Sequence, residues 1–342
     1  MANGERIVVM KFPIKIPRPS ALLLPGLLAV FFLSLSIGSA PISVLTGLFD
    51  WLTNQPGLPA LVIGEIRLPR TLLALSVGAA LGLSGAALQG LLRNPLADPS
   101  LTGASQGAAL GAAFVFYFAL LPGLGVFAPL LAGLIGAGVT LLLTLWLAGS
   151  GRPALLLLAG LAVASLSGAM LAAVLNFAPN PFAMQEIVFW LLGSVAERGM
   201  AHFAFLLPAL VIGGALIWRQ RPLLAALSLG EQVAASLGLN VQRGGRIIVL
   251  GCAILVGAAV ATAGNIGFVG LVAPHLARPL AQNRPDRLLL PAAVIGATLV
   301  LLADIIVRLM PPGREIRLGV LTALIGAPLF IRLIWKMRRE WL

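Results

Sequence analysis

The chain has one cysteine, two histidines and one tyrosine, and charged side chains make up only 10% of its 342 residues. A lone Cys252 excludes a disulfide framework and a thiolate-ligated metal cluster. His202 and His275 are too few for a histidine-rich metal site. Lysine is nearly missing. Lys11, Lys15 and Lys336 follow Met10, Ile14 and Trp335, so no Gly-Lys pair exists and the chain carries no P-loop ATP site. The shortage of charge excludes an ordinary soluble domain, which carries roughly 25% charged residues. It also excludes disorder, which requires a polar composition.

What is there instead is apolar sequence: 59% hydrophobic residues and a mean hydropathy of +1.03. Such a chain is expected to be an all-α, polytopic membrane bundle, because helices satisfy every backbone polar group internally. Ten apolar runs are expected as spans, near 20–39, 71–91, 101–121, 124–147, 154–175, 201–218, 247–263, 266–281, 288–307 and 317–335. The eighth is short and interrupted by Pro274, and it is included because an even count keeps both termini on one side. With the N-terminus inside, the outer segments hold only Arg67, Arg70, Arg198, Arg308, Arg314 and Arg317 of the 23 Lys and Arg residues. Basic residues concentrate on the cytoplasmic side of membrane proteins, so the net charge of +12 is a topology signal rather than a nucleic-acid footprint. Both termini are expected to be cytoplasmic. Residues 1–19 read as a basic cytoplasmic tail with Met10 as an alternative start, and residues 20–342 as one ten-span transmembrane domain with the inner loop 219–246. The first apolar run is long enough to span and lacks a small-residue cleavage site.

Several segments depart from generic membrane helix. Arg67-Leu68-Pro69-Arg70 sets two arginines three apart at the outer mouth of span 2. They suit the gripping of acidic groups from outside, or the snorkelling that anchors a helix at the interface. Between spans 2 and 3, Asn94-Pro95-Leu96-Ala97-Asp98-Pro99 is a specified turn, since two X-Pro steps forbid a continuous helix and Asn94 and Asp98 suit helix caps.

The longest inner loop, 219–246, contains Ser228 and Glu231 at capping-box spacing and Gly238 as a helix stop. Leu229, Val233 and Leu237 form one apolar stripe on this short helix, which suits docking on a partner or packing on the protein's own surface. Gly264 to Arg278 has three glycines spaced three apart before Pro274, the pattern of a discontinuous helix beside a pathway. Its His275 reads as a packed or capping residue more readily than as a proton relay. Asp304 and Arg308 stand four apart and are placed to pair.

A transporter without a P-loop needs another energy source. Ion coupling usually places acidic or histidine residues deep in several spans. Here Asp304 and Glu186 lie near outer ends, so the inner amphipathic helix points to a separate ATPase subunit.

Arg67-Leu-Pro-Arg70, Asn94-Pro-Leu-Ala-Asp-Pro99, Leu229-Gly-Glu231, Gly264–Arg278 and Gly326-Ala-Pro-Leu-Phe330, in this order, resemble the FecCD family of permease subunits of ABC importers. That resemblance covers roughly 20–335. It implies the type II importer permease fold with ten helices per subunit, no catalytic residues, and a pathway along the interface of two permease subunits.

The partners it implies are a second permease copy or a related permease, two cytoplasmic ATPases that bind ATP and Mg, and one periplasmic binding protein, all at the inner membrane. Arg67, Arg70 and Arg308 would receive acidic residues of the binding protein. Ser228, Leu229, Gly230, Glu231, Val233, Leu237 and Gly238 would form the ATPase coupling helix. Asn94 and Leu96 would form one cytoplasmic gate and Ser150 and Gly151 another. Arg314-Glu-Ile-Arg317 departs from the family pattern. The expected substrate is an iron chelate, a ferric siderophore or haem. Cobalamin is the alternative within the family, and an ion-coupled secondary transporter the alternative outside it.

Overall fold

The computed structural model describes residues 22–38, 40–55, 57–118, 120, 122–149, 153–177, 181–311 and 316–341. Among them every regular element is helical. In chain order these are α1 (Leu23–Ser36), α2 (Val44–Leu52), α3 (Leu58–Leu61), α4 (Leu68–Leu92), α5 (Ala104–Phe118), α6 (Phe127–Ala148), α7 (Pro153–Asn176) and α8 (Pro181–Leu191). They continue with α9 (Met200–Arg219), α10 (Arg221–Leu227), α11 (Glu231–Ser236), α12 (Val241–Ala263), α13 (Val269–Ala277), α14 (Pro285–Arg308) and α15 (Leu318–Trp341). A π-helical turn, Val62–Arg67, joins α3 to α4.

Each of the ten expected spans falls on a helix, but they are not equal. Among the described residues six helical stretches are long and apolar enough to cross a bilayer: Leu58–Leu92, Phe127–Ala148, Leu158–Asn176, Met200–Arg219, Val241–Ala263 and Pro285–Arg308. α1, α5 and the start of α15 are shorter apolar helices. The expected eighth span holds only the nine residues of α13. At 1.5 Å per residue that is about 14 Å, less than half of a roughly 30 Å hydrocarbon core. The backbone before it is irregular: α12 stops at Gly264 (φ +72°), and Phe268 (φ +64°) caps α13.

The centre of the bundle is α4 and α12, whose apolar windows are 78% buried, whereas those of α7 and α9 are 28% buried. α4 reaches this position because one face of it is nearly free of side chains. Cβ atoms on Gly78 or Gly82 would collide with the backbone of α14 at Gly296 and Ala292, and one on Gly85 would lie 2.9 Å from the Cα of Gly270 in α13. Membrane helices gain little from excluding lipid, so close backbone packing of this kind carries their association.

Candidate functional site

The N-terminal end of α4 is shaped by Pro69, which has no N–H to donate to the preceding turn. The turn widens there: the Leu68 N–H bonds to the Ile63 carbonyl, five residues back. Beyond the bulge, Arg67 and Arg70 diverge. Arg70 reaches Asp304 of α14, with Nη2 2.7 Å and Nε 2.9 Å from Oδ1 and Nε 3.2 Å from Oδ2. Arg308, one turn further along α14, donates from Nε to Oδ2 of the same carboxylate at 2.8 Å, and from Nη2 to that oxygen as well. The expected Asp304–Arg308 pair is therefore present, with Arg70 as a third member. Arg308 Nη1 also donates to the Ser34 carbonyl at 2.8 Å, and the Ser34 hydroxyl lies 3.0 Å from that of Thr71.

Arg67 takes a different place. Its Nη1 donates to the carbonyls of Leu35 (3.0 Å) and Ser36 (3.2 Å), and its Nη2 to that of Ala40. The last carbonyls of a helix have no partner within it and carry partial negative charge, so this guanidinium closes the C-terminal end of α1. Arg67 is 3% exposed, whereas the Arg70 side chain is 19% exposed. Three guanidinium groups stand against the single carboxylate of Asp304, which leaves the cluster two positive charges in excess.

At the opposite end of α4, Arg93 (φ +50°) ends the helix in the left-handed conformation. Asn94 does not cap a helix as expected: its Oδ1 accepts from the Leu96 N–H at 2.9 Å, folding an Asx turn within the loop. Asp98 does cap, accepting from the Ser100 N–H at 2.8 Å at the start of a short 3-10 turn, Pro99–Thr102. Leu96 and Asp98 line a cavity of about 400 Å³ with Asn265, Phe268 and Phe330. A second cavity of about 610 Å³ lies between the same Asn265–Phe268 segment and Gly319, Ala323 and Ala327 of α15. The interrupted helix thus borders open space on two sides. Ser150, Gly151, Arg314 and Glu315 lie outside the described residues.

The capping box expected from Ser228 and Glu231 does not form. Ser228 Oγ donates backward to the Ala225 carbonyl at 2.6 Å, closing α10, and α11 starts instead from Gly230 at φ +117°. That φ is poorly accessible to a residue with a Cβ. The expected stop is present. Gly238 (φ +77°) donates to Ala235 at 2.9 Å and Leu239 to Ala234 at 3.1 Å, the paired bonds of a Schellman motif. Ala234 of α11 is fully buried, and Leu229, Val233 and Leu237 are exposed, but they do not form the expected stripe on one helix: the left-handed Gly230 leaves Leu229 in the preceding turn and Leu237 is the C-cap, so only Val233 lies on α11. Glu231 stands 3.9 Å from Arg93, so the α11 segment touches the 93–98 turn.

Two polar contacts inside the bundle gave no local sequence signal. Buried Gln89 accepts from Arg278 Nη2 at 3.0 Å and donates to the Leu271 carbonyl at 3.3 Å, tying α4 to α13. Arg70 and Asp304 are 234 positions apart, beyond any helical-spacing rule.

Residues 26–336 match the model of the FecCD transport family. The chain is 40% identical over 329 residues to the hemin transport system permease protein HmuU of Yersinia pestis, covering 93% of this chain and 97% of that protein. It is 39% identical over 298 residues to the vitamin B12 import system permease protein BtuC of Salmonella typhi, covering 85% and 87%. Among solved structures, a metal-chelate type ABC transporter in an inward-facing conformation matches with a TM-score of 0.83 at 32% identity, over 94% of this chain and 99% of that one.

Proposed function

The chain belongs to the FecCD transport family, an integral-membrane ABC permease and not an enzyme, and from that premise we propose that it imports an iron chelate, haem or a ferric siderophore. It works in the inner membrane with both termini in the cytoplasm, as one of two identical permease subunits. Two cytoplasmic ATPases supply the energy with ATP and Mg, and one periplasmic binding protein delivers the substrate.

One observation carries the energetic part of this reading. Leu229 in the turn before Gly230, Val233 on α11 and Leu237 at its C-cap stand exposed together, while Ala234 buries the opposite side of the helix and glycines close both of its ends. An apolar face held rigidly in the aqueous layer suits the groove of a partner. Because Glu231 stands beside Arg93, displacement of this helix reaches the Asn94–Leu96 turn directly, and that turn lines the inner cavity. Asn94 and Leu96 act as a cytoplasmic gate on this account. The substrate passes when the turn and the interrupted Gly264–Phe268 segment move apart, each state being favoured by the nucleotide state of the ATPases.

On the outer face the excess positive charge of the Arg67–Arg70–Arg308 cluster draws the acidic surface of the binding protein. Arg70, the most exposed of the three, makes the contact. Arg308 and Asp304 hold it in position, and Arg67 braces α1 beside it.

The test is uptake into proteoliposomes holding the permease and its ATPase, with the binding protein outside. Radioiron-labelled haem, a ferric siderophore and radiolabelled cobalamin are each offered with and without ATP. ATP-dependent accumulation of an iron chelate is expected. Accumulation driven by a proton gradient without the ATPase would overturn the energetic reading, and accumulation of cobalamin only would overturn the substrate.

A further inference from the structure

A cavity of about 440 Å³ opens at the outer ends of α5, α6, α9 and α12, apart from the arginine cluster and from the two cavities beside α13. Its walls are apolar, with Val115, Phe116, Leu130, Trp190 and Ala261, except for two side chains from the start of α9, Arg198 and His202. His202 is 6% exposed. Among the described residues, its Nδ1 and the Nε of Arg198 are buried with no hydrogen-bond partner. Buried polar atoms in folded proteins are nearly always paired, so two unsatisfied ones on side chains that line one cavity call for an occupant.

The charge around them has one sign in excess. Arg198 feels Glu197 and Arg317, and Arg317 stacks over Phe189 at 5.1 Å. Burial holds the Arg198 guanidinium below the usual arginine range; Glu197 opposes that shift and Arg317 adds to it. Beside His202 lie Arg198 and the Gly199 carbonyl, an acceptor within reach of the ring but too poorly aligned to satisfy its Nδ1. Two helix starts also meet here. Val126 and Gly199 are the N-caps of α6 and α9, and neither caps with a side chain. The start of α6 has few N–H groups to offer, since Ala128 donates to the Gly125 carbonyl and Pro129 has none, so the positive end that favours an anion here is chiefly that of α9.

The mouth of the cavity is apolar and outward-facing. Leu120 and Val126 on its rim are 47% and 49% exposed, and Leu124 and Phe127 beside them are 42% and 43% exposed. In a bundle of this composition such a surface faces lipid tails. An anionic head at the inner wall combined with an apolar approach from the bilayer describes one ligand class. We propose that this cavity is a binding site for an anionic phospholipid of the outer leaflet. Its phosphate is held by Arg198 Nε and by His202 Nδ1 as donor, beside the start of α9, while an acyl chain lies along Leu120 and Val126 toward the membrane.

The test uses full-length permease reconstituted in phosphatidylcholine bilayers with a minor share of phosphatidylglycerol, then extracted in mild detergent for native mass spectrometry. Wild type is expected to retain one phosphatidylglycerol per chain more than the Arg198→Gln and His202→Leu variants, whose affinity falls about tenfold or more. Arg198→Lys is expected to retain part of the binding. Should Arg198→Gln fail to fold, Val126→Trp, a change on the exposed rim, narrows the mouth without touching the core and is expected to lower retention as well. Brominated phosphatidylglycerol should quench a component of the tryptophan fluorescence that Trp190→Phe removes. Equal phosphatidylglycerol retention by wild type and folded variants would overturn the proposal. So would displacement of the lipid by millimolar inorganic phosphate with no dependence on acyl chains, which would mark a site for soluble anions.

Discussion

Arg70 and Asp304 meet across the α4–α14 contact through two hydrogen bonds to one carboxylate oxygen, 2.7 and 2.9 Å long, with Asp304 1% exposed. Arg308 binds the other oxygen of the same group. The carboxylate is the hinge pin of the outer end: it compensates two cations that have little access to water, while its neighbours hold α1, α4 and α14 together.

Asp304→Asn keeps the shape and removes the charge. It leaves Arg70 and Arg308 facing each other without compensation, and breaking a buried charge pair in this way costs about 3–5 kcal/mol. The expected outcome is a clear drop in the thermal unfolding midpoint of the purified permease in detergent. An unchanged midpoint would show that water reaches the cluster freely.

Arg67 and Arg70 are expected to separate by phenotype. Arg67→Met removes the donors that close the C-terminal end of α1 and should lower stability by about 2 kcal/mol, while docking per folded molecule weakens less than in Arg70→Gln, because buried Arg67 adds to the field without making the contact. Arg70→Gln should weaken docking about three- to tenfold at low ionic strength, with the difference from wild type shrinking as salt rises. Surface plasmon resonance across a salt series reads both. A loss of docking in Arg67→Met equal to that in Arg70→Gln would show that Arg67 also turns outward.

Leu229→Asp combined with Leu237→Asp alters two exposed positions, so the unfolding midpoint of the isolated permease should stay within about 0.5 kcal/mol of wild type. Co-purification with the ATPase should fall more than about tenfold, because a charge in the centre of an apolar interface is left desolvated. Full retention of the ATPase would remove α11 from the coupling surface.

Gly296→Ala places a methyl group against the Gly78 carbonyl and within 3.1 Å of the Gly82 Cα. Neither helix can yield without opening the Arg70–Asp304 contact at their outer ends. A destabilisation of about 1–3 kcal/mol is expected. Gly138→Ala, with open space around the added carbon, is the control and should be near neutral. Differential scanning fluorimetry on the two variants decides the point.

Much of the architecture is legible in the sequence because lipid imposes one rule on every span. Nine of the ten expected spans match apolar helices, since an uninterrupted apolar run has no alternative to helix in hydrocarbon. The exception, Ile266–Ala281, is an apolar stretch whose Gly267, Phe268 and Pro274 shorten the helix to Val269–Ala277. Apolarity says that a segment is buried, and it does not say whether lipid or neighbouring helices do the burying. Ser228 is a similar case. Its spacing to Glu231 fits a capping box, but α10 ends at Leu227 and offers Ser228 a nearer carbonyl at Ala225. The stop at Gly238 was legible because it depends only on local backbone geometry.

The sequence by itself determined that this protein lives in a membrane, that its three lysines sit in no P-loop, and to which family its ordered motifs point. Each of these follows from composition or from patterns within a few turns of chain. Only the tertiary structure decided what the polar residues do there. It turned Arg67 inward to α1 and joined Arg70 to a carboxylate 234 positions away. It also gathered Arg198 and His202 with two helix starts around one cavity. Those outcomes depend on which helices approach closely, and that is decided by the fit of glycine-lined backbones such as Gly78 on Gly296 rather than by any local preference of the charged residues.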